Sequence, residues 1–217
     1  MVVHVGECFT DLFPIWEGKP VVDATFRCCL GGRDVTDQLK RLFLEADDSI
    51  LLSRQDVIHM KESHCYVADK GNEAHRRDAG ECVLPDGRVI ELGDERCAAS
   101  EVLFQPAGQN AKSIPQAFVS TVGKTENGIR KGLLSHVVFS GGTTALPYFD
   151  KRVVLEIENL DRTVSNQMRV ADRVNGSLAA WIGGSMVASL GPCWEDIWVT
   201  KASYEEMGSA VIHKRLF

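Results

Sequence analysis

The sequence predicts an α/β fold, on three observations. Val137-Val138-Phe139 is apolar and β-prone, and it runs straight into the turn Ser140-Gly141-Gly142-Thr143-Thr144. Beyond that turn, Phe149, Val153, Val154, Ile157 and Leu160 recur at helical spacing. A similar alternation lies upstream, where a strand-like run from Val21 to Leu30 gives way to Val35, Leu39, Leu42 and Phe43 on one helical face. A strand that ends at paired glycines and reopens as a helix brings bare backbone close to a ligand, the physical need behind most nucleotide-binding turns. Alone, such a turn is more often only a tight turn.

Composition narrows the function classes. The 217 residues are 44% hydrophobic and 25% charged, ordinary for a globular chain. A formal net charge of −6 argues against nucleic acid or an anionic membrane as a direct partner, since phosphate binding needs a basic face. No apolar run approaches the roughly 20 residues of a membrane span, and Met1-Val2-Val3-His4 carries no signal-peptide pattern. The seven cysteines are odd in number and lack CxxC pairing, so reduced, buried thiols are expected rather than disulfides or zinc.

In chain order, Val2-Val3 starts a strand, His4 to Cys8 form a turn, and Phe9 to Phe13 return as the next strand. Asp34 is expected to cap the helix through Val35 to Phe43. Ser53 with Asp56 caps a second helix running to Tyr66, which carries Lys61 and Glu62. Residues 70–81 read as a mobile loop. Val83-Leu84 then pairs with Arg88 to Leu92 across Pro85-Asp86-Gly87, a strong hairpin signal. Ile129, Leu133 and Leu134 mark a helix before the Gly-Gly strand, and Gln167 to Val170 suggests a strand after Leu160. From Gly176-Ser177 the pattern is helical through Ala180, Ile182, Met186, Val187 and Leu190, until Gly191-Pro192 breaks it. Thr200 caps a last helix, Lys201 to Met207, that Gly208 ends.

The blocks Thr10-Asp11-Leu12-Phe13-Pro14-Ile15-Trp16-Glu17-Gly18, Gly32-Arg33-Asp34-Val35-Thr36-Asp37, Lys61-Glu62-Ser63-His64-Cys65-Tyr66, Leu84-Pro85-Asp86-Gly87 and Ser140-Gly141-Gly142-Thr143-Thr144 come in a distinctive order. Trp181-Ile182-Gly183-Gly184-Ser185 and the ending Val211 to Phe217 follow. Together they resemble the C-terminal part of actins and actin-related proteins, over almost the whole chain. The resemblance implies the actin/Hsp70-like ATPase fold: a ribonuclease H-like lobe of mixed sheet with flanking helices, an α+β insertion, and a C-terminal return segment. Residues 1–30 and 111–177 would form the large core of the second lobe, 31–110 the insertion subdomain, and 178–217 the returning segment. The first lobe has no counterpart here.

The resemblance also implies where nucleotide would sit: Gly6, Gly32, Lys61, Glu62, Gly141, Gly142 and Thr143. In the family the Lys61-Glu62 pair contacts adenine and ribose, although such a pair on a helix is otherwise commonly solvated. Several positions depart from the pattern. His4 replaces a metal-ordering carboxylate and cannot serve Mg²⁺ as a hard oxygen ligand would. Cys8 replaces a glycine, with Glu7 a partial substitute for the acid beside it. Asp11 stands where the family places a histidine near the attacking water, Ile58 where it has an arginine, and Ser177 where it has a lysine. The polar run Ala107 to Ser113 replaces an apolar tip that plugs neighbouring filament subunits, so filament formation is not expected.

Phosphoryl transfer needs metal, positioned nucleophile and charge stabilisation together. The expectation is therefore a non-catalytic structural subunit with no bound cofactor, ATP or ADP with Mg²⁺ entering only if a first lobe is supplied in trans; the alternative is a nucleotide-binding actin-like protein, either half of a split actin or a chromatin-remodeller subunit. Ile182, Val187, Leu190, Trp194 and Ile197 would form an apolar surface for an obligate protein partner; Trp194 and Trp198 would suit an anchor role there, the alternative being that both are internal core, Trp198 more so than Trp194. An axonemal or dynactin-like cytoskeletal complex in the cytoplasm is one setting, and a nuclear chromatin remodeller the other.

Overall fold

A computed structural model describes residues 1–46, 51–68, 80–108, 111–171, 176–190 and 198–215. The expected mobile loop at 70–81, apart from its last two residues, and the helix break at Gly191-Pro192 lie outside the described residues. Contacts divide the chain into two compact units, Met1–Ser177 and Leu178–Phe217.

The first unit is organised on a four-stranded mixed sheet. Strand β1 (Val2–Val5) lies centrally, antiparallel to β2 (Thr10–Phe13) and parallel to β8 (Val138–Ser140), while β5 (Phe26–Cys28) flanks β2, the short hairpin β3 (Ile15–Trp16) and β4 (Lys19–Pro20) lying between β2 and β5 in sequence. Side chains alternate across a sheet, so register sorts them by face. Val3 opposes Leu12 and Phe139, and Leu12 opposes Phe26, giving an apolar rung on the core side. The next rung, on the other face, is polar across all four strands: Arg27, Asp11, His4 and Ser140.

Helix α1 (Gly32–Ala46) buries Val35, Leu39 and Phe43 at i, i+4 and i+8. It starts two residues before the expected cap, because the Asp34 carboxylate reaches back to accept the Gly31 N–H at 2.8 Å. Helix α2 (Arg54–His64) opens on the Ser53–Asp56 capping box as expected, and ends at His64 rather than Tyr66. The Asp86-Gly87 turn joins β6 (Gly80–Val83) to β7 (Val89–Leu92), with the Gly87 N–H donating to the Leu84 carbonyl at 2.9 Å. Helix α3 (Glu95–Ala98) runs into a 3-10 turn at Ala99–Leu103.

Three expectations are corrected. His4 and Val5 belong to β1 and not to the turn, since both pair in register with β2. Only Phe26–Cys28 of the Val21–Leu30 run is strand; Val22–Ala24 coil into a 3-10 turn whose Ala24 and Thr25 amides bond back to Val21 and Val22. Gln167 ends a helix, α7 (Arg162–Gln167), capped by the Asp161 carboxylate, and Val170 alone bridges to Val137. Helix α4 (Ile114–Lys124) was not anticipated, although Ser113 and Gln116 form a capping box and Ile114, Ala117, Phe118 and Val122 face the core.

Helix α5 (Asn127–Leu134) precedes β8, and α6 (Phe149–Leu160) follows the Gly-Gly turn after an intervening 3-10 segment, Gly142–Ala145. One apolar cluster takes in Val3, Val5 and Phe139 from the sheet, Phe118 and Ile157 from the 111–177 helices, and Val35, Leu39, Leu84 and Leu92 from residues 31–110. Buried Arg152 of α6 holds this arrangement by a two-bond contact to Glu101, at 2.7 and 2.9 Å, with further bonds to Glu156 and the Ala68 carbonyl.

In the second unit, α8 (Ala179–Ala188) buries none of its residues, and α9 (Lys201–Met207) is capped by Thr200 and ended by Gly208, as expected. A short α10 (Val211–Arg215) closes the described chain.

Candidate functional site

The Gly-Gly turn, the β1–β2 hairpin and the start of α1 meet at one end of the sheet. Gly141 is held at φ +94, where a side chain would run into the Val5 backbone, so glycine is required there. Its N–H donates to the Gly176 carbonyl at 2.8 Å, tying the turn to the segment before α8. Thr143 donates its hydroxyl to the Gly6 carbonyl at 2.8 Å, and Gly6 also accepts the Gly32 N–H at 2.9 Å.

Gly32 sits at the centre of a polar knot. A Cβ there would stand 2.6 Å from Glu7 Oε2, 2.8 Å from Thr143 Oγ1 and 3.2 Å from Lys61 Nζ. The Lys61 side chain, only 10% exposed, donates to Glu7 Oε2 at 3.0 Å and to the Gly32 carbonyl at 3.2 Å. Its charge is therefore met by a carboxylate from the same chain, 54 residues away.

Beside this knot opens a cavity of about 560 Å³, wholly within the first unit. That volume falls in the range of small-molecule sites. Glu7, Gly32, Lys61, Glu62, Gly142, Thr143 and Ser177 line its polar side, and Val35, Ala145, Leu146 and Pro147 its apolar side. Of the residues singled out in the sequence, Gly32, Lys61, Glu62, Gly142 and Thr143 come together here, while Gly6 and Gly141 support the wall from behind. Leu146 and Pro147 were missed; their position just after the Gly-Gly turn was the available signal.

Two of the departing positions, His4 and Asp11, are engaged by other side chains of the same chain. His4 Nδ1 lies 3.0 Å from Ser140 Oγ. Asp11, nearly buried, takes two bonds from Arg27, at 2.5 and 3.1 Å. That pairing raises the Arg27 pKa, through the hydrogen bond first and the charge second. Cys65, deeply buried next to α2, has its thiol pushed up to about 12 by desolvation and is a core group rather than a nucleophile.

The expected partner surface is only partly within view. Ile182 is half-buried, Val187 and Leu190 are exposed, and Trp181 is 72% exposed. Trp198 is 54% exposed, which fits the anchor alternative rather than the internal one. Trp194 and Ile197 lie outside the described residues. Among the described residues no helix is long and apolar enough to cross a membrane.

Compared with known protein families, residues 51–217 match the family model described as Actin, more than three quarters of the chain. The sheet of mixed direction, its flanking helices and this match together establish that the chain belongs to the actin family.

Proposed function

We propose that this actin-family chain acts as a non-catalytic structural subunit of a larger assembly in a cytoskeletal or cytoplasmic setting, of the axonemal or dynactin-like kind. The observation that carries the reading is how the positions of catalytic interest are used. His4 bonds Ser140, Asp11 bonds Arg27, and Lys61 bonds Glu7. ATP hydrolysis needs an ordered Mg²⁺, a positioned water and unspent positive charge. An imidazole held to a serine is a poor substitute for the hard oxygen donor that orders hydrated Mg²⁺, and a carboxylate already bound to Arg27 is a poor substitute for a histidine near the attacking water. In this reading a protein partner covers the apolar side chains of residues 178–217, and the chain neither forms filaments nor binds nucleic acid or membrane directly.

The test is phosphate release from ATP by the purified chain in Mg²⁺. No release above the uncatalysed background is expected, and turnover that Lys61→Met abolishes would overturn the reading. A second reading, a nucleotide-binding actin-like subunit such as those of chromatin remodellers, is favoured by the cavity and by Gly32, Lys61, Glu62, Gly142 and Thr143 along it. ATP or ADP with Mg²⁺ would be its ligand.

A further inference from the structure

We propose that the β6–β7 hairpin takes an added strand from a partner protein, one carrying a basic and an aliphatic residue two positions apart. The proposal goes beyond the reading above, because it gives a partner's chemistry and does not depend on what the cavity binds.

The register of the hairpin sets the geometry. Glu81 pairs with Glu91 and Val83 with Val89. The Leu84 N–H donates to the Arg88 carbonyl at 2.8 Å, which makes that pair a hydrogen-bonded one. Bonded and unbonded pairs alternate along an antiparallel ladder, so the Val83–Val89 and Glu81–Glu91 pairs are unbonded. Their side chains stand close together, and their N–H and C=O groups point away from the opposing strand. Among the described residues β6 and β7 have no third strand beside them. Outward N–H and C=O groups on such an edge are a template for a further strand.

The exposed face selects which strand. Val83 and Val89 are 62% and 55% exposed, with Glu81 and Glu91 exposed beside them, while Cys82 and Leu92 turn inward. Like charges directly opposite each other on a sheet are destabilising. Among the described residues no cation is paired with Glu81 or Glu91. The hairpin's own Arg88 is committed to Asp86 at 2.7 Å, to Asp56 at 3.3 Å and to the Leu51 carbonyl at 2.7 Å. Side chains two positions apart share a face of a strand. A lysine or arginine with an aliphatic residue two places on therefore extends both rows at once, a cation beside the carboxylates and hydrocarbon beside the valines. A second copy of the hairpin is the wrong occupant, since it adds two more carboxylates.

The experiment is equilibrium titration of the whole chain with three short threonine-rich peptides. The first carries a lysine and, two places on, a valine; the second has glutamate for the lysine; the third is the lysine peptide with its backbone amides methylated. The lysine peptide is expected to bind at least about tenfold more tightly than either of the others. Glu91→Lys supplies the cation from within the hairpin, so it should weaken the lysine peptide by at least about tenfold and raise the melting temperature by about 1–4 °C. No binding of the lysine peptide, equal binding of the glutamate or methylated peptide, binding unmoved by Glu91→Lys, or a fall in that variant's melting temperature would each overturn the proposal. None of these readouts involves ATP, so the proposal and the non-catalytic reading can fail separately.

Discussion

Residues 1–177 and residues 178–217 treat their apolar side chains in opposite ways. In the first unit, Val3, Val35, Phe118, Phe149 and Ile157 are fully buried, and the buried guanidinium of Arg152 is matched by two carboxylates. In the second, α8 reads Ala-Ala-Trp-Ile-Gly-Gly-Ser-Met-Val-Ala without a charge, yet none of its residues is fully buried. A helix apolar all round ordinarily lies in a core. Apolar content alone therefore does not report burial.

The largest expected effect breaks the first side of this comparison. Arg152→Ala takes from Glu101 and Glu156 the guanidinium they both bind and removes a cation stacked 4.6 Å over Phe104. A loss of about 3–5 kcal/mol is expected in urea denaturation, with Glu101→Gln losing less because Glu101 is the more exposed partner.

Next in size is a pair of glycine substitutions. Gly141→Ala places a side chain at positive φ against the Val5 backbone, and should cost about 1–3 kcal/mol. Gly183→Ala in α8 meets nothing within 4 Å and should raise helix stability by up to about 1 kcal/mol. Matched circular-dichroism melts of the two variants check the sign.

Smaller still is the effect of Trp181→Ser with Leu190→Ser. Both side chains are exposed, so stability should move by less than about 0.5 kcal/mol, while self-association in sedimentation and binding of an apolar dye fall. Unchanged association would remove the argument for a covered face.

The pH dependence is narrower. Burial raises the Cys65 pKa from 9.0 to about 12, so the unfolded chain releases that proton first. The contribution is fully present below pH 9 and declines as pH rises toward 12. Alkylation at pH 8.5 should accordingly spare Cys65 and mark exposed Cys29.

What the sequence disclosed divides along the same physical line. Local signals held: the Ser53–Asp56 box, the Asp86-Gly87 hairpin and the Thr200 and Gly208 ends of α9 all act over three or four residues. The paired glycines and Lys61-Glu62 located the cavity, because bare backbone and a charged pair mark close approach. The Glu7–Lys61 and Asp11–Arg27 pairs were not legible, since they depend on register and on contacts 54 and 16 residues apart. The Val21–Leu30 run misled because β-branched content outvoted the turn at Val22–Ala24. Helix α4 was legible and was passed over.

Segment-resolved hydrogen exchange on the purified chain tests the comparison most directly. Amides of β1 and α6 should be protected by several orders of magnitude more than those of α8, whose opening exposes no buried side chain. Equal protection of α8 and α6 in the isolated chain would contradict the account, because it would show the helix already covered without a partner.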